Sequence, residues 1–377
     1  MYPLTTRLIS ALEQPERLCK RLKNLRLLRD ADGRPCYTVG NRATVFRVEL
    51  HGRVHRLRCY TARPAVDLDA IYGEQLLREE LYVHTDDEEG EWIDVVLDNW
   101  VEGDTLDIVT DRALESRDTP LLYELSRRFD ALAADLLADD WAHGDLKPEN
   151  IVVTPGGNLR LIDFDALYLP CMQGRTSFEL GTPTYQHPGR TAGNFDRWLD
   201  HYPAALLSVQ LRALTLDPSL HTRHSAPGEY LFRPAQLFDD ECPAYDETLD
   251  LFARMGDAIH YRLARALRQP CYRLDGVEEL FAHTAPQPLP ETPPAFYMDR
   301  GLCGFRTEER IVIPPVYDEA LEFREGTAAV RLGSRWHYID TAGNPLFHCP
   351  PCDAAKSLRN GHARCRRNGI WQEYKIK

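Results

Sequence analysis

Between His143 and Asp165 the chain sets polar side chains at short, fixed intervals. They lie in His143-Gly144-Asp145-Leu146-Lys147-Pro148-Glu149-Asn150 and in Asp163-Phe164-Asp165. The residue types suit one chemistry. Phosphoryl transfer is mostly positioning and charge neutralisation. It needs a carboxylate at the acceptor hydroxyl, a cation near the transferred phosphate and hard oxygen ligands for Mg²⁺. Asp145, Lys147 and the pair Asn150 and Asp163 supply that set. A single Asp or Asn would read as a turn residue. The full string, with an apolar strand from Leu159 to Ile162 leading into Asp163, is far more specific.

The surrounding elements follow from periodicity. Apolar Leu8, Ile9, Leu12, Leu18, Leu22, Leu25 and Leu28 predict a helix over residues 6–29. Cys36 to Val39, Val45 to Leu50 and Val54 to Tyr60 read as strands, separated by turns at Gly40-Asn41 and His51-Gly52. A helix is predicted from Leu68 to Tyr82, then a strand over Trp92–Leu97, and helices dominate from Leu121. Strands first and helices later make an α+β chain with two lobes.

The string around Asp145 resembles the catalytic loop of protein kinases, and Asp163-Phe164-Asp165 resembles their Asp-Phe-Gly motif. The resemblance implies a bilobal protein kinase-like fold over residues 1–283, with a small lobe at about 30–101 and a large lobe at about 102–283. It implies Asp145 as base or substrate orienter, Asn150 as second metal ligand and Asp163 as the main Mg²⁺ ligand. Lys147 two residues after Asp145 favours the Ser/Thr branch over small-molecule kinases, which also carry His-Gly-Asp. Gly181-Thr182-Pro183-Thr184-Tyr185-Gln186-His187-Pro188 resembles the peptide-docking end of an activation segment, which adds Thr182 to the catalytic set. Asp200 falls where the family places a helix-borne Asp that braces the catalytic loop. Gly144 replaces the usual Arg, which puts control by activation-loop phosphorylation in doubt. Gly189 replaces the motif's closing Glu, which leaves Arg273 without its family ion pair.

The small lobe departs further. Thr38-Val39-Gly40-Asn41-Arg42-Ala43 resembles the Gly-rich phosphate loop, with Gly40 kept and Ala43 in place of a glycine. Arg58 stands where the family has a phosphate-holding Lys, and the swap is not conservative. Glu74 is its expected helix partner, because Ile71, Leu77 and Leu81 put Glu74 on the apolar face; Glu79 and Glu80 read as solvated. Leu97 to Gly103 resembles the hinge, where the backbone from Asn99 to Val101 would meet adenine and Trp100 is either a hinge or a core aromatic. Asp165 replaces a glycine, and reads either as a third carboxylate near Mg²⁺ or as a turn cap.

Residues 284–297 form a Pro-rich linker, which resists helix and favours extended geometry. Residues 298–377 follow as a β-rich region with an internal repeat. Residues 316–336 match 351–371 at a constant shift of 35, pairing Asp318 with Asp353, Gly326 with Gly361, Ala328 with Ala363 and Trp336 with Trp371. This resembles the WG repeat family, although His337 and Gln372 replace the Gly after each Trp. The linker isolates the repeats in sequence, so a chain ending near residue 284 is expected to fold alone. Cys349, Cys352 and Cys365 fall on Pro314, Tyr317 and Val330 of the preceding unit and read as substitutions in a repeat scaffold; zinc held by these three and His362 is the alternative.

The net charge of −13 argues against nucleic acid as a partner. The basic residues between Arg17 and Arg29 read as the solvated face of a helix. No apolar run approaches the roughly 20 residues of a membrane span, the N-terminus lacks the apolar core of a signal peptide, and ten scattered cysteines read as reduced thiols, so the expected location is cytoplasmic. Two functions stand. One is a divergent Ser/Thr kinase using ATP and Mg²⁺ on a protein hydroxyl. The other is a pseudokinase scaffold whose repeats bind a partner protein.

Overall fold

Alternating β-branched, aromatic and aliphatic side chains favour extended backbone, and they make residues 37–60 a meander. The computed structural model describes residues 3–40, 42–64, 67–84, 90–177, 179–224, 230–239, 241–285 and 289–376. They form two units, residues 1–103 with 163–167, and residues 104–162 with 168–377.

In the first unit, strands β1 (Arg26–Leu27), β2 (Tyr37–Val39), β3 (Ala43–Leu50), β4 (Arg53–Tyr60), β5 (Leu76–His84) and β6 (Gly90–Asn99) form an antiparallel sheet. Its order is β1-β3-β4-β6-β5, with β2 also pairing with β3. Leu8, Leu12, Phe46, Leu57, Leu81 and Val95 bury one face. Two expected helices are shorter than predicted. The first breaks into α1 (Thr5–Leu12) and α2 (Pro15–Leu18), because Pro15 lacks an N–H and opens a new helix. The second is α3 (Leu68–Tyr72), capped by Asp67 and ended at Gly73, whose φ of +48° suits a glycine. From Leu76 the chain is strand, not helix, because pairing with β6 outweighs the helical spacing. Glu80 on this strand is fully buried rather than solvated; its carboxylate accepts the N–H groups of Arg21 and Leu22 and the Arg21 side chain.

The second unit begins with β7 (Asp104–Thr105), α4 (Leu106–Ser116) and α5 (Thr119–Ala138). Strands β8 (Ile151–Val153) and β9 (Leu159–Leu161) pair behind the Asp145 loop. Helices α6 (His201–Leu216), α7 (Ser219–His224), α8 (Pro243–Met255), α9 (Ala258–Ala266) and α10 (Val277–Ala282) follow. Helix α6 is buried nearly all round and forms the axis of the unit. A buried network locks α5, α6 and α9: Ser208 donates to Asp130, and His260 sits between Asp130 at 3.2 Å and Asp257 at 2.8 Å. Burial opposes the His260 charge, but the two carboxylates win and raise its pKa to about 9.

Beyond the linker, whose residues 286–288 lie outside the described set, the regular elements among the described residues are all strands. Its elements are β10 (Ala295–Asp299), β11 (Leu302–Arg306), β12 (Ile311–Tyr317), β13 (Glu319–Ala320), β14 (Ala328–Leu332), β15 (Arg335–Ile339), β16 (Pro345–His348), β17 (Ala354–Arg359), β18 (His362–Arg367) and β19 (Ile370–Lys375). The shift of 35 carries β13, β14 and β15 onto β17, β18 and β19. The first repeat is not independent of the helices. Phe305, Ile313, Val316, Tyr317, Val330 and Leu332 belong to the same apolar core as α6, α8 and α9. Arg262 on α9 donates to the Val316 carbonyl at 2.6 Å and pairs with Asp318 at 2.9 Å. The expectation that a chain ending near 284 folds alone therefore meets a shared core: the linker separates the segments in sequence, not in packing.

Candidate active site

The Asp145 loop is held from three sides within the second unit. From α6, Asp200 accepts the N–H groups of His143 and Gly144, the latter at 2.9 Å. Complete burial pushes the Asp200 carboxyl up, and His143 and these N–H groups oppose that. Gly144 has φ of +79°, a torsion that glycine takes without strain. Its carbonyl accepts from Arg190 at 2.8 Å, and Arg190 also donates to Gln186 at 2.6 Å. Gly181, at φ +71°, packs so closely that an added Cβ would stand 2.8 Å from the Gly144 carbonyl and 3.0 Å from Asp145 Oδ1.

Around Asp145 the predicted catalytic residues converge. Oδ1 accepts the Thr182 N–H at 2.6 Å, while Oδ2 accepts from Asn150 at 3.2 Å and lies 3.3 Å from Lys147 Nζ. Lys147 also donates to Thr182 Oγ1 at 2.9 Å. Asp145, Lys147, Asn150 and Thr182 are thus one hydrogen-bonded group. Arg190 was missed in the sequence, where a basic residue shortly after the Pro188-Gly189 break was the signal, and Gln186 was quoted in its motif without a role. Arg273 stacks on Trp198, 3.6 Å from the ring centroid.

The first unit holds a second cluster. Arg58 on β4 is 5% exposed and pairs with Asp163 at 2.5 Å and with Asp165. Burial works against its charge, but Asp163 and then Asp165 more than offset this and hold it strongly protonated. Asp165 also accepts from Tyr72 at 2.8 Å and from Tyr60 at 3.4 Å. Tyr60 lies two residues from Arg58 and so shares its face of the strand. Burial, with Asp165 adding to it, pushes both phenols up. Glu74 is not the partner of Arg58. It lies exposed on the short turn Gly73–Gln75, because α3 ends at Gly73 before a helical face can carry it inward. Asp165 needs no glycine torsion: the left-handed residue is Asp163, at φ +68°, which Asp tolerates better than most.

The remaining nucleotide calls lie on the same sheet. Gly40 N–H donates to the Ala43 carbonyl at 2.8 Å, closing the tip of the β2–β3 hairpin; Asn41 lies outside the described residues. The Arg42 carbonyl accepts from Thr61 and Ala62, which ties this tip to the end of β4. Asn99 ends β6 opposite His55, Val101 is half-buried, and Arg47 stacks on Trp100 at 4.7 Å. A hard divalent ion takes oxygen ligands. Asn150 Oδ1 accepts no hydrogen bond among the described residues, and Asp163 is 43% exposed. These donors fit Mg²⁺ in type, with Arg58 as a competitor for Asp163.

The β-rich tail repeats its strands at a fixed shift, and at Gly304 an added Cβ would stand 2.7 Å from the Ile313 carbonyl, so that only glycine fits there. Residues 306–336 match the WG containing repeat family. Comparison with curated proteins gives no match. The WG match spans the unit that packs on α9, and WG repeats are a plausible region for protein interaction. Among the described residues no helix is long and apolar enough to cross a membrane.

Proposed function

We propose that the chain is a divergent Ser/Thr protein kinase-like phosphotransferase, bilobal in fold, that moves the ATP γ-phosphate to a protein hydroxyl. The observation that carries this reading is the Asp145 group. A carboxylate is fixed by Thr182, Asn150 and Lys147, on a loop braced by Asp200. Asp145 orients the acceptor hydroxyl and takes its proton, and Lys147 offsets charge on the transferred group. Asn150 and Asp163 are the metal ligands. Bound with ATP, Mg²⁺ would neutralise phosphate charge. Arg58 takes the place of the usual lysine, and Gly40, Ala43, Asn99 and Val101 present backbone to the nucleotide.

One observation favours a second reading, a pseudokinase scaffold. The Arg58 guanidinium is already satisfied by Asp163 and Asp165, and Glu74 is in solvent. Thermal unfolding with ATP decides whether nucleotide binds. ATP with Mg²⁺ should raise the melting temperature more than ATP with chelator. Equal shifts would remove the metal role, and no shift in either would favour the scaffold.

A further inference from the structure

The last three strands have little of the backing that the first repeat enjoys. Their cluster contains seven buried side chains, three of them (Ala329, Trp336 and Tyr338) lent by the preceding unit. Two of the other four are Cys349 and Cys365. At the matching positions the first repeat places buried Pro314 and Val330, and at that of Cys352 it places buried Tyr317. The second unit has thus exchanged an aromatic ring, an aliphatic branch and a proline ring for three thiols. Small cores that lose apolar volume in this way usually gain a covalent or metal cross-link.

The geometry brings the three sulfurs together. The Sγ atoms of Cys349, Cys352 and Cys365 all lie within 4.8 Å of one another, the only such group of potential ligands among the described residues. Cys349 and Cys365 are 2.9 Å apart. A tetrahedral ion with Zn–S bonds of about 2.3 Å separates its sulfurs by about 3.8 Å, so loading requires Cys349 and Cys365 to move apart by about 1 Å from their 2.9 Å spacing. The approach is preorganised. Cys349 N–H donates to the Trp336 carbonyl at 3.0 Å, and Asp353 N–H to the Arg366 carbonyl at 2.7 Å. Between these anchors Pro350 and Pro351 fix two φ angles. Cys365 comes from β18, on the face that also buries Ala363.

We propose that Cys349, Cys352 and Cys365 form a trithiolate site for a soft metal ion, zinc first, which cross-links the β16–β17 connection to β18. Each thiol releases its proton to solvent as it coordinates. His362 is not the fourth ligand. It lies three residues from Cys365 on one strand and so faces the other side, and its ring nitrogen is bonded to the Asn360 carbonyl at 2.8 Å. The fourth position opens beside Cys352, the least buried of the three, where water reaches it.

The test is metal content of the full chain, purified under reductant, incubated with equimolar zinc and dialysed. Wild type should retain about one zinc per chain, and Cys352→Ser and Cys365→Val should retain none. Cys365→Val restores the residue of the first repeat, so it should stay folded by circular dichroism. Cobalt loaded into wild type should give thiolate charge-transfer absorption, weakened in Cys352→Ser. Displacement of zinc by equimolar Cu(I) under nitrogen would keep the site and reassign its ion. Zinc absent from wild type, zinc retained by both variants, or a mass two hydrogens short from a Cys349–Cys365 disulfide would overturn the proposal.

Discussion

The Asp145 and Arg58 clusters are both built on carboxylates, but they are satisfied in different ways. Asp145 meets a carboxamide and a single ammonium from its own stretch of chain and a backbone N–H from Thr182, far along the sequence. Asp200 and Arg190 brace this loop at Gly144 from elsewhere. Arg58 instead faces two carboxylates at once and no glutamate from α3. The planar fork of a guanidinium lets one cation span two acids. Asp165 and the Arg58 fork are thus a matched pair. One cluster fixes a single carboxylate with three donors, and the other holds a single cation between two carboxylates.

That contrast can be broken by substitution. The largest effect should come from Asp145→Asn, which keeps shape but removes the base. Phosphate transfer should fall by roughly 10²–10⁴-fold, while the chain stays folded by circular dichroism. Next, Arg58→Ala should strand Asp163 and Asp165 and lower stability by about 1–3 kcal/mol, less than for a fully buried pair because Asp163 reaches solvent. Arg58→Lys should recover part of that stability and preserve transfer or increase it. Urea unfolding and a transfer assay on the same preparations check both.

Smaller effects separate geometry from charge. Gly181→Ala and Gly174→Ala both place a side chain at positive φ, at a cost of about 1–2 kcal/mol each. Only Gly181 abuts Asp145; Gly174 faces open space. Gly174→Ala should show the torsional cost alone, and Gly181→Ala should lose more stability and lose transfer as well. The smallest change is Tyr72→Phe, which removes one hydrogen bond to Asp165 and should cost about 0.5–1.5 kcal/mol.

The two clusters were not equally legible in the sequence. The Asp145 group was, because its members sit within six residues and are joined by Thr182 and Asp200 from recognisable positions. Arg58 itself was found, but its partner was not. Ile71, Glu74, Leu77 and Leu81 have helical spacing, yet Gly73 stops α3 and pairing with β6 draws the rest into a strand. Glu80 was misread for the same reason: its burial depends on N–H groups from residues 21 and 22, far away in the chain. The repeat register was legible from the shift of 35. The shared core was not, since five prolines between 284 and 295 describe the connection and say nothing about what packs across it. His362 was grouped with the cysteines by proximity in sequence, and strand alternation excludes it.

The reading of the chain as a phosphotransferase rests on both clusters serving one reaction, and transfer of labelled γ-phosphate to the protein itself and to a basic substrate tests it most directly. With ATP and Mg²⁺, wild type should incorporate label and Asp163→Asn should incorporate none. Label that survives Asp163→Asn, or none in either wild type or Arg58→Lys, would contradict the account.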